Sequence, residues 1–177
     1  MANTFLLAQD VAIGASLAEP GMVETARTIM ATAKANDCQM ILPTDLVVAT
    51  AFAANVPHRV TNGSDISADE IILDAGPQSV VTVTAFLGEC QTIVWNGPMG
   101  AFELTPFDAA TNAIAGAVAR LTQDQQVMSV AGGGDTMAAL ANAGVNDHFS
   151  YVSTAGGAFL EWLEGKTLPG VDALQQR

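Results

Sequence analysis

The sequence is poor in positive charge and in aromatic residues. It contains 6 Lys and Arg residues against 18 Asp and Glu, which gives a formal net charge of −12. Proteins that bind nucleic acids or anionic membranes usually need clustered Lys and Arg to contact phosphate groups. The charge balance therefore argues against nucleic acids and membrane surfaces as partners of this chain.

Cysteine is limited to Cys38 and Cys90, which have no CxxC spacing and no histidine nearby. We expect each to be a buried, reduced thiol, and from this we expect a cytoplasmic location. No apolar run approaches the ~20 residues of a membrane-spanning helix. The first residues also lack the basic segment of a signal peptide. The sequence therefore predicts neither a membrane protein nor a secreted one.

Apolar residues and glycine are plentiful instead. Half of the 177 residues are apolar and 16 are glycine. This length suits one domain with a real core, and the composition is typical of an α/β protein rich in Ala, Val and Gly. We predict a single α/β domain over residues 1–177.

Three apolar segments in the second half of the chain end in glycine-rich turns, and each turn precedes a predicted helix. The turns are Asn96-Gly97-Pro98-Met99-Gly100, Gly132-Gly133-Gly134-Asp135-Thr136 and Ser153-Thr154-Ala155-Gly156-Gly157. Strand–helix alternation indicates parallel strands, whose carboxyl ends meet at the ligand-binding edge of an open α/β sheet. Three turns on one such edge favour an anionic, nucleotide-like ligand.

The middle turn is the strongest candidate for a phosphate site. Glycines let the backbone approach a bound group, and a helix start offers free N–H groups and a positive dipole end. The P-loop motif is absent, however, and Met137 stands where the dinucleotide motif requires Gly or Ala. No Lys or Arg lies beside the turn, so backbone N–H groups and a metal ion would have to hold the phosphate. A tight turn without a ligand remains the alternative.

Periodicity and turn residues predict the other elements. We expect helices over residues 22–36, 78–88, 105–120, 137–143 and 158–164. Thr105 is predicted as the N-cap of the third helix, with Pro106 at its first position. We interpret residues 40–49 as one strand interrupted at Pro43, residues 53–72 as a loop or small hairpin, and the tail from Lys166 as a turn-rich cap.

Some polar and aromatic residues receive structural interpretations. Asp45 and Asp74, at apparent strand ends, are interpreted as structural. His58 and His148 are expected to be exposed, and Trp95 and Trp162 are expected in the core.

The glycine turns and their flanks closely resemble phosphoglycerate kinase. The matching segments are Trp95–Glu103, the GGGDT stretch at 132–136, Ser153–Ala158 with Leu160-Glu161, and Glu164–Val171. The resemblance implies an α/β fold with a Rossmann-like parallel sheet and helices on both faces. It also implies reversible phosphoryl transfer between 1,3-bisphosphoglycerate and ADP in glycolysis, with ATP or ADP and Mg²⁺ as cofactors.

The resemblance assigns nucleotide contacts to residues around the first and third turns. Asn96 would approach the triphosphate, Pro98 would flank the ribose, and Glu103 would accept hydrogen bonds from the ribose hydroxyls. Gly156 and Gly157 would offer backbone N–H groups to the phosphoryl group in transfer, although Ala155 replaces a glycine that is usual in the family. Judged without the resemblance, Glu103 is better interpreted as a solvated acid at the entry to a helix.

The resemblance assigns phosphate and metal contacts to the middle turn. Gly133, Gly134 and Thr136 would surround the phosphates at the helix start. Asp135 would hold Mg²⁺ directly or through water, as a hard oxygen ligand that shares the ion with phosphate oxygens. Judged alone, Asp135 could equally be only a helix cap.

The resemblance further implies an incomplete protein, which lacks the N-terminal domain and the beginning of the C-terminal, nucleotide-binding domain. In the family the N-terminal domain binds the phosphoglycerate through basic residues, so 3-phosphoglycerate and 1,3-bisphosphoglycerate are expected partners only together with that domain. Members of the family are usually monomeric. Two functions stay open: a kinase of which this chain supplies the Mg-nucleotide half, and a non-catalytic nucleotide-binding remnant of a truncated reading frame. We expect the isolated chain to be inactive.

Overall fold

A computed structural model describes residues 1–153 and 156–175 of the chain. By its internal contacts the chain divides into two compact units. The first unit comprises Met1–Ala85 and Met99–Ala113, and the second comprises Phe86–Pro98 and Ile114–Arg177. The single domain predicted from the sequence stays a prediction, because compact units are not the same as independently folding domains.

The described residues form both α-helices and β-strands, which alternate along the chain only from residue 71 to residue 163. The α-helices are α1 (Ala2–Ala8), α2 (Val23–Ala35), α3 (Pro77–Leu87), α4 (Ala109–Gln123), α5 (Gly134–Asn142), α6 (Gly156–Leu163) and α7 (Pro169–Gln175). The strands are β1 (Leu46–Ala49), β2 (His58–Thr61), β3 (Ile71–Ala75), β4 (Thr92–Trp95), β5 (Met128–Gly132) and β6 (Tyr151–Ser153). None of the helices within the described ranges is long and apolar enough to cross a bilayer.

The first unit contains an antiparallel sheet of order β2-β1-β3. One apolar cluster on it is built from Leu6, Leu46 and Val48, and a second from Ala49, Leu73 and Phe107. Residues 53–72, expected as a loop or small hairpin, are mostly loop, and the strand within them, β2, pairs with β1 rather than with a strand inside that segment. The single strand expected over residues 40–49 is wrong, since only β1 is extended there.

The second unit contains a parallel sheet of order β4-β5-β6. Val94 pairs with Val130, and Val130 with Tyr151, so the three strands run in register. Trp95 is buried and packs edge-on against Phe149, with ring centroids 6.2 Å apart. The predicted α/β class with parallel strands is confirmed, and the glycine-rich turns at 96–100 and 132–136 follow the carboxyl ends of the adjacent strands β4 and β5.

Helix α4 begins later than the sequence predicts. Thr105 and Pro106 are joined by a cis peptide bond, and the helix starts only at Ala109. The carboxylate of Asp74 accepts a hydrogen bond from the Ala110 N–H at 2.9 Å, so a residue distant in sequence caps this helix. Local cap preference therefore predicted the wrong start, because the actual cap comes from β3.

Three smaller expectations are also wrong. Neither cysteine is fully buried. Cys38 is exposed, because it lies just beyond the exposed end of α2, and Cys90 is partly buried. Trp162 is 58% exposed rather than part of the core. The tail after Lys166 is not merely a turn-rich cap, since it contains α7.

Candidate functional site

The site predicted at the middle turn lies at the start of α5 in the second unit. Gly133 precedes the helix with φ 102° and ψ 148°, a backbone conformation that is essentially restricted to glycine. Among the described residues, no side chain caps this helix start. The first N–H groups of α5 are therefore available to an external acceptor, with the positive end of the helix dipole behind them.

Glycine at position 134 is not required by the fold. Its φ lies outside the left-handed region, and a Cβ added there would meet no described atom within 4 Å. Glycine is also a poor helix former, and yet Gly134 is the first residue of α5. Open space in front of a glycine at an uncapped helix start is what close approach of a phosphate to the backbone requires.

The turn after β4 is tied directly to the turn after β5. The Gly97 N–H donates a hydrogen bond to Thr136 Oγ1 at 2.8 Å, and Thr136 is fully buried. Asn96 Oδ1 lies 3.9 Å from the position that a Cβ on Gly133 would occupy. Asn96 is exposed and Pro98 is half-buried. The structure thus brings Asn96 beside Gly133, as the strand order requires.

Strand β6 ends at Ser153, next to the turn after β5. The Gly133 N–H approaches the carbonyl oxygen of Ser153, the last residue of β6, with an N···O distance of 3.4 Å. Thr154 and Ala155 lie outside the described residues, and α6 begins at Gly156. Gly157 is exposed, and a Cβ on it would meet no described atom within 4 Å. Two helix starts with glycines in open space therefore lie at the carboxyl ends of β5 and β6.

Asp135 is the acidic residue of the first turn of α5, and it is exposed. Within the described part of the chain, no group of three or more His, Cys, Asp or Glu residues could hold a metal ion. A metal held only by protein side chains is therefore not supported there. Mg²⁺ commonly uses one or two carboxylates and completes its shell with water and substrate phosphates, and Asp135 beside a phosphate site fits that pattern.

Glu103 lies in the first unit, apart from the other predicted residues in sequence and in unit. It is exposed, between buried Phe102 and half-buried Leu104, in the turns that follow Gly100. The first unit also contains a mainly apolar cleft of about 620 Å³ beside Phe5, Leu17 and Ile29, and this cleft includes none of the predicted site residues.

Sequence reasoning missed two contributors to the geometry. Gly97 has φ 100° and donates the hydrogen bond that joins the first two turns. Asp74 caps α4 from β3. The Asn-Gly-Pro sequence signalled a special backbone at Gly97, whereas nothing local in the sequence linked Asp74 to Ala110.

Comparison with known proteins identifies relatives over nearly the whole chain. A family model described as "Phosphoglycerate kinase" matches residues 1–166. Proteins named phosphoglycerate kinase from Xanthobacter flavus and Rhodospirillum centenum are 58% and 60% identical over 176 and 174 residues. The match covers 99% and 98% of this chain, but 44% of each relative. The chain therefore spans less than half the length of these curated relatives.

Solved structures give the same result. Phosphoglycerate kinase from Coxiella burnetii superposes with a TM-score of 0.93 at 43% identity, over 99% of this chain and 44% of that one. The enzyme from Pyrococcus horikoshii superposes with a TM-score of 0.76 at 25% identity, over 98% and 43%. Fold, turns and sequence agree, and the chain belongs to the phosphoglycerate kinase family.

Proposed function

We propose that this chain supplies the Mg-nucleotide half of a phosphoglycerate kinase, which transfers a phosphoryl group reversibly between 1,3-bisphosphoglycerate and ADP in glycolysis. The observation that carries the proposal is the uncapped start of α5 at the carboxyl edge of a parallel sheet, where Gly133 has a positive φ and Gly134 faces open space among the described atoms. Such an edge is the usual ligand site of open α/β folds. A cytoplasmic location follows from this glycolytic role.

The phosphates would bind at the start of α5. Gly133 and Gly134 permit close approach, and the N–H groups of Gly134, Asp135 and Thr136 provide donors at the positive end of the helix. The Thr136 hydroxyl already accepts the Gly97 N–H. Its side chain would therefore fix the relative position of the first two turns, while its backbone contributes to phosphate binding.

Asp135 would hold Mg²⁺ together with phosphate oxygens and water. The ion supplies charge neutralisation for the phosphates when it is bound. The carboxylate is exposed and lies in the same helical turn as the proposed phosphate donors. The carboxylate can therefore reach a cation that is bound to the phosphates, and it stays hydrated when no cation is bound.

Within the second unit, Asn96 would approach the phosphates of the nucleotide and Pro98 would flank its ribose. The position of Asn96 Oδ1 near Gly133 supports this role. Gly156 and Gly157, at the start of α6, would donate N–H groups to the oxygens of the transferred phosphoryl group. Catalysis in this scheme consists of positioning and charge stabilisation, with no covalent intermediate on the protein.

The experiment that tests nucleotide binding is calorimetric titration of Mg-ADP into the purified chain. We expect saturable binding that is weakened at least about tenfold in Asp135→Ala, because a charge-assisted metal contact is lost. Asp124→Ala is the matched control, since Asp124 is also an exposed acid of the second unit but lies beyond the end of α4. Equal affinities of the two variants would contradict the role of Asp135. A folded chain that binds no nucleotide would contradict the proposal for this chain alone.

A further inference from the structure

Two Asn-Gly dipeptides follow strands of this chain, and their surroundings differ. Asn62-Gly63 follows β2 in the first unit, and Asn96-Gly97 follows β4 in the second. In such a dipeptide the glycine nitrogen can attack the side-chain carbonyl carbon of Asn, because glycine has no Cβ to hinder the approach. Ring closure expels ammonia and leaves a succinimide, which water opens to Asp or isoaspartate. The hydrogen bonds around each dipeptide therefore decide how readily it reacts.

The nitrogen of Gly63 lies at the start of a chain of hydrogen bonds. The Gly63 N–H donates to Thr61 Oγ1 at 3.1 Å. The Thr61 hydroxyl donates in turn to Asp65 Oδ1, and Thr61 is buried. The amide proton of Gly63 is thus connected to a carboxylate through one hydroxyl group. This arrangement can remove the proton while the nitrogen attacks, which is general-base catalysis.

The carboxylate of Asp65 is held in place by Arg59. Asp65 Oδ2 accepts a hydrogen bond from Arg59 Nη1 at 3.0 Å, and the Asp65 carbonyl oxygen accepts one from Nη2 at 2.9 Å. Arg59 is itself fixed, because its Nε donates to Glu70 Oε1 at 2.8 Å. Hydrogen bonds from Thr61 and Arg59 lower the pKa of Asp65. The carboxylate is therefore ionised at neutral pH and can accept the relayed proton.

The side-chain carbonyl group of Asn62 is polarised by Ser64. Asn62 Oδ1 accepts the Ser64 N–H at 3.1 Å and the Ser64 hydroxyl at 2.7 Å. Two donors aimed at this oxygen stabilise the negative charge that develops on it during attack at the carbonyl carbon. Asn62 is also exposed, so ammonia can leave and water can enter.

The second dipeptide is held differently. The Gly97 N–H donates to Thr136 Oγ1 at 2.8 Å, and Thr136 is a fully buried residue in the first turn of α5. This bond ties the attacking nitrogen to a packed helix. Attack on Asn96 therefore requires local opening of the turn, which lowers the reactive fraction.

We propose that Asn62 is a site of spontaneous deamidation that the fold promotes, in which Ser64 stabilises the oxyanion and Thr61 relays the amide proton of Gly63 to Asp65. The bond from the Gly63 nitrogen to Asn62 Cγ forms while the proton of that nitrogen passes to Thr61 and the Thr61 proton passes to Asp65. The Cγ–Nδ2 bond then breaks, and the departing nitrogen takes up a proton from Asp65 through water and leaves as ammonia. Hydrolysis of the succinimide leaves a carboxylate at position 62, so the chain gains a negative charge.

Peptide mapping by mass spectrometry tests the proposal on the incubated 177-residue chain. Both dipeptides are followed in the same samples, with the chain folded and with the chain denatured in guanidinium chloride. Asn62 should deamidate at least about tenfold faster in the folded chain, because the proton relay and the oxyanion donors exist only there. Asn96 should deamidate at least about tenfold more slowly in the folded chain than in the denatured one.

Variants separate the parts of the relay. Asp65→Asn and Thr61→Val should each slow deamidation of Asn62 at least about tenfold in the folded chain. Asp69→Asn is the matched control, since Asp69 is an exposed acid of the same loop, and it should keep the wild-type rate. Ser64→Ala should slow the reaction about fivefold, because it removes one of the two donors to Asn62 Oδ1.

The pH dependence gives a readout that a merely structural role of Asp65 would not change. Without an internal base, hydroxide removes the amide proton, and the rate rises about tenfold per pH unit. With Asp65 as the base, the rate at Asn62 should change less than about threefold between about pH 6 and about pH 7, because Arg59 keeps Asp65 ionised throughout. Asp65→Asn should restore the steep dependence.

Three results would overturn the proposal: a rate at Asn62 that is no faster in the folded chain than in the denatured one, equal rates in Asp65→Asn and Asp69→Asn, or a product that contains Asp but no isoaspartate. Unfolding of a variant would accelerate deamidation of Asn96 as well. The rate at Asn96 therefore shows in each sample whether the chain has stayed folded.

Discussion

At the scale of single residues, two buried carboxylates with similar surroundings differ in their acidity. Burial would raise the pKa of Asp45, but hydrogen bonds from the Ser79 hydroxyl and from the N–H groups of Gln78 and Ser79 outweigh it and lower that pKa. Burial raises the pKa of Asp74 to about 7. Hydrogen bonds from the N–H groups of Ala110 and Ala75 lower this pKa only in part, and repulsion from Asp108 raises it further. The number of donors decides which form of a buried carboxyl is favoured.

This difference predicts a pH-dependent stability. The folded chain binds the Asp74 proton more tightly than the unfolded chain, whose aspartates titrate near 3.8. The contribution of Asp74 to the free energy of unfolding should therefore be greatest below about pH 4 and should fall as the pH rises to about 7. Urea denaturation between pH 5 and 7 should show a decline of up to ~1.4 kcal/mol per pH unit in the wild type relative to Asp74→Asn. Parallel pH profiles of the two proteins would contradict the raised pKa.

At the scale of elements, the start of α5 combines two glycines that serve different purposes. Gly133 has a φ of 102°, which the turn from β5 into α5 requires. Gly134 has neither a positive φ nor a close neighbour among the described atoms. The fold therefore explains Gly133 but not Gly134, which is consistent with the proposed close approach of a phosphate to Gly134.

The two glycines should respond differently to alanine. Gly133→Ala should lower the free energy of unfolding by about 1–3 kcal/mol, because alanine is strained in that backbone conformation. Gly134→Ala should raise it by up to ~1 kcal/mol through better helix propensity, and should nevertheless weaken Mg-ADP binding, because the methyl group occupies the phosphate position. Thermal or urea denaturation and calorimetric titration measure the two effects.

Gly170→Ala is the matched control for Gly134→Ala. Gly170 is also near the start of a short helix, α7, and a Cβ there would meet no described atom within 4 Å. Gly170→Ala should raise the free energy of unfolding or leave it unchanged, and it should not affect the affinity for Mg-ADP. If Gly134→Ala binds Mg-ADP as tightly as Gly170→Ala does, the phosphate does not lie against Gly134.

At the scale of the whole molecule, the chain has few charges with which to complete a kinase site. It spans 44% of the length of its curated relatives, and it has only 6 Lys and Arg residues against 18 acids. Phosphoryl transfer depends on cationic groups that neutralise the developing charge. None of the three glycine-rich turns contains a cation, so these turns by themselves supply little of the charge neutralisation that turnover requires.

We therefore expect the purified chain to bind Mg-nucleotide but to show no ATP consumption that depends on 3-phosphoglycerate. A coupled assay with the chain at micromolar concentration should give the background rate of buffer alone. Turnover clearly above that background, retained after repurification and lost in Asp135→Ala, would show that this chain contains a complete active site.

The sequence allowed prediction of the elements whose signals are local. The apolar runs of β4, β5 and β6, the helical periodicity of α2 and the predicted helix α3 depend on neighbouring residues, and each was found close to its predicted bounds. The start of α4 was predicted wrongly at Thr105, because its actual cap is Asp74. The exposure of Trp162 was also missed, because apolar character alone does not show which side of a helix is covered.

By itself the sequence determined the α/β class, the order of three strands with their glycine turns, and the excess of acidic charge, because these follow from residue type and spacing. Only the tertiary structure decided which carboxylates cap which helices, that Gly97 is bonded to Thr136, and that Gly134 faces open space. Those contacts join residues 30 to 40 positions apart in the chain. No local pattern encodes them, and they arise only when strands and helices pack together.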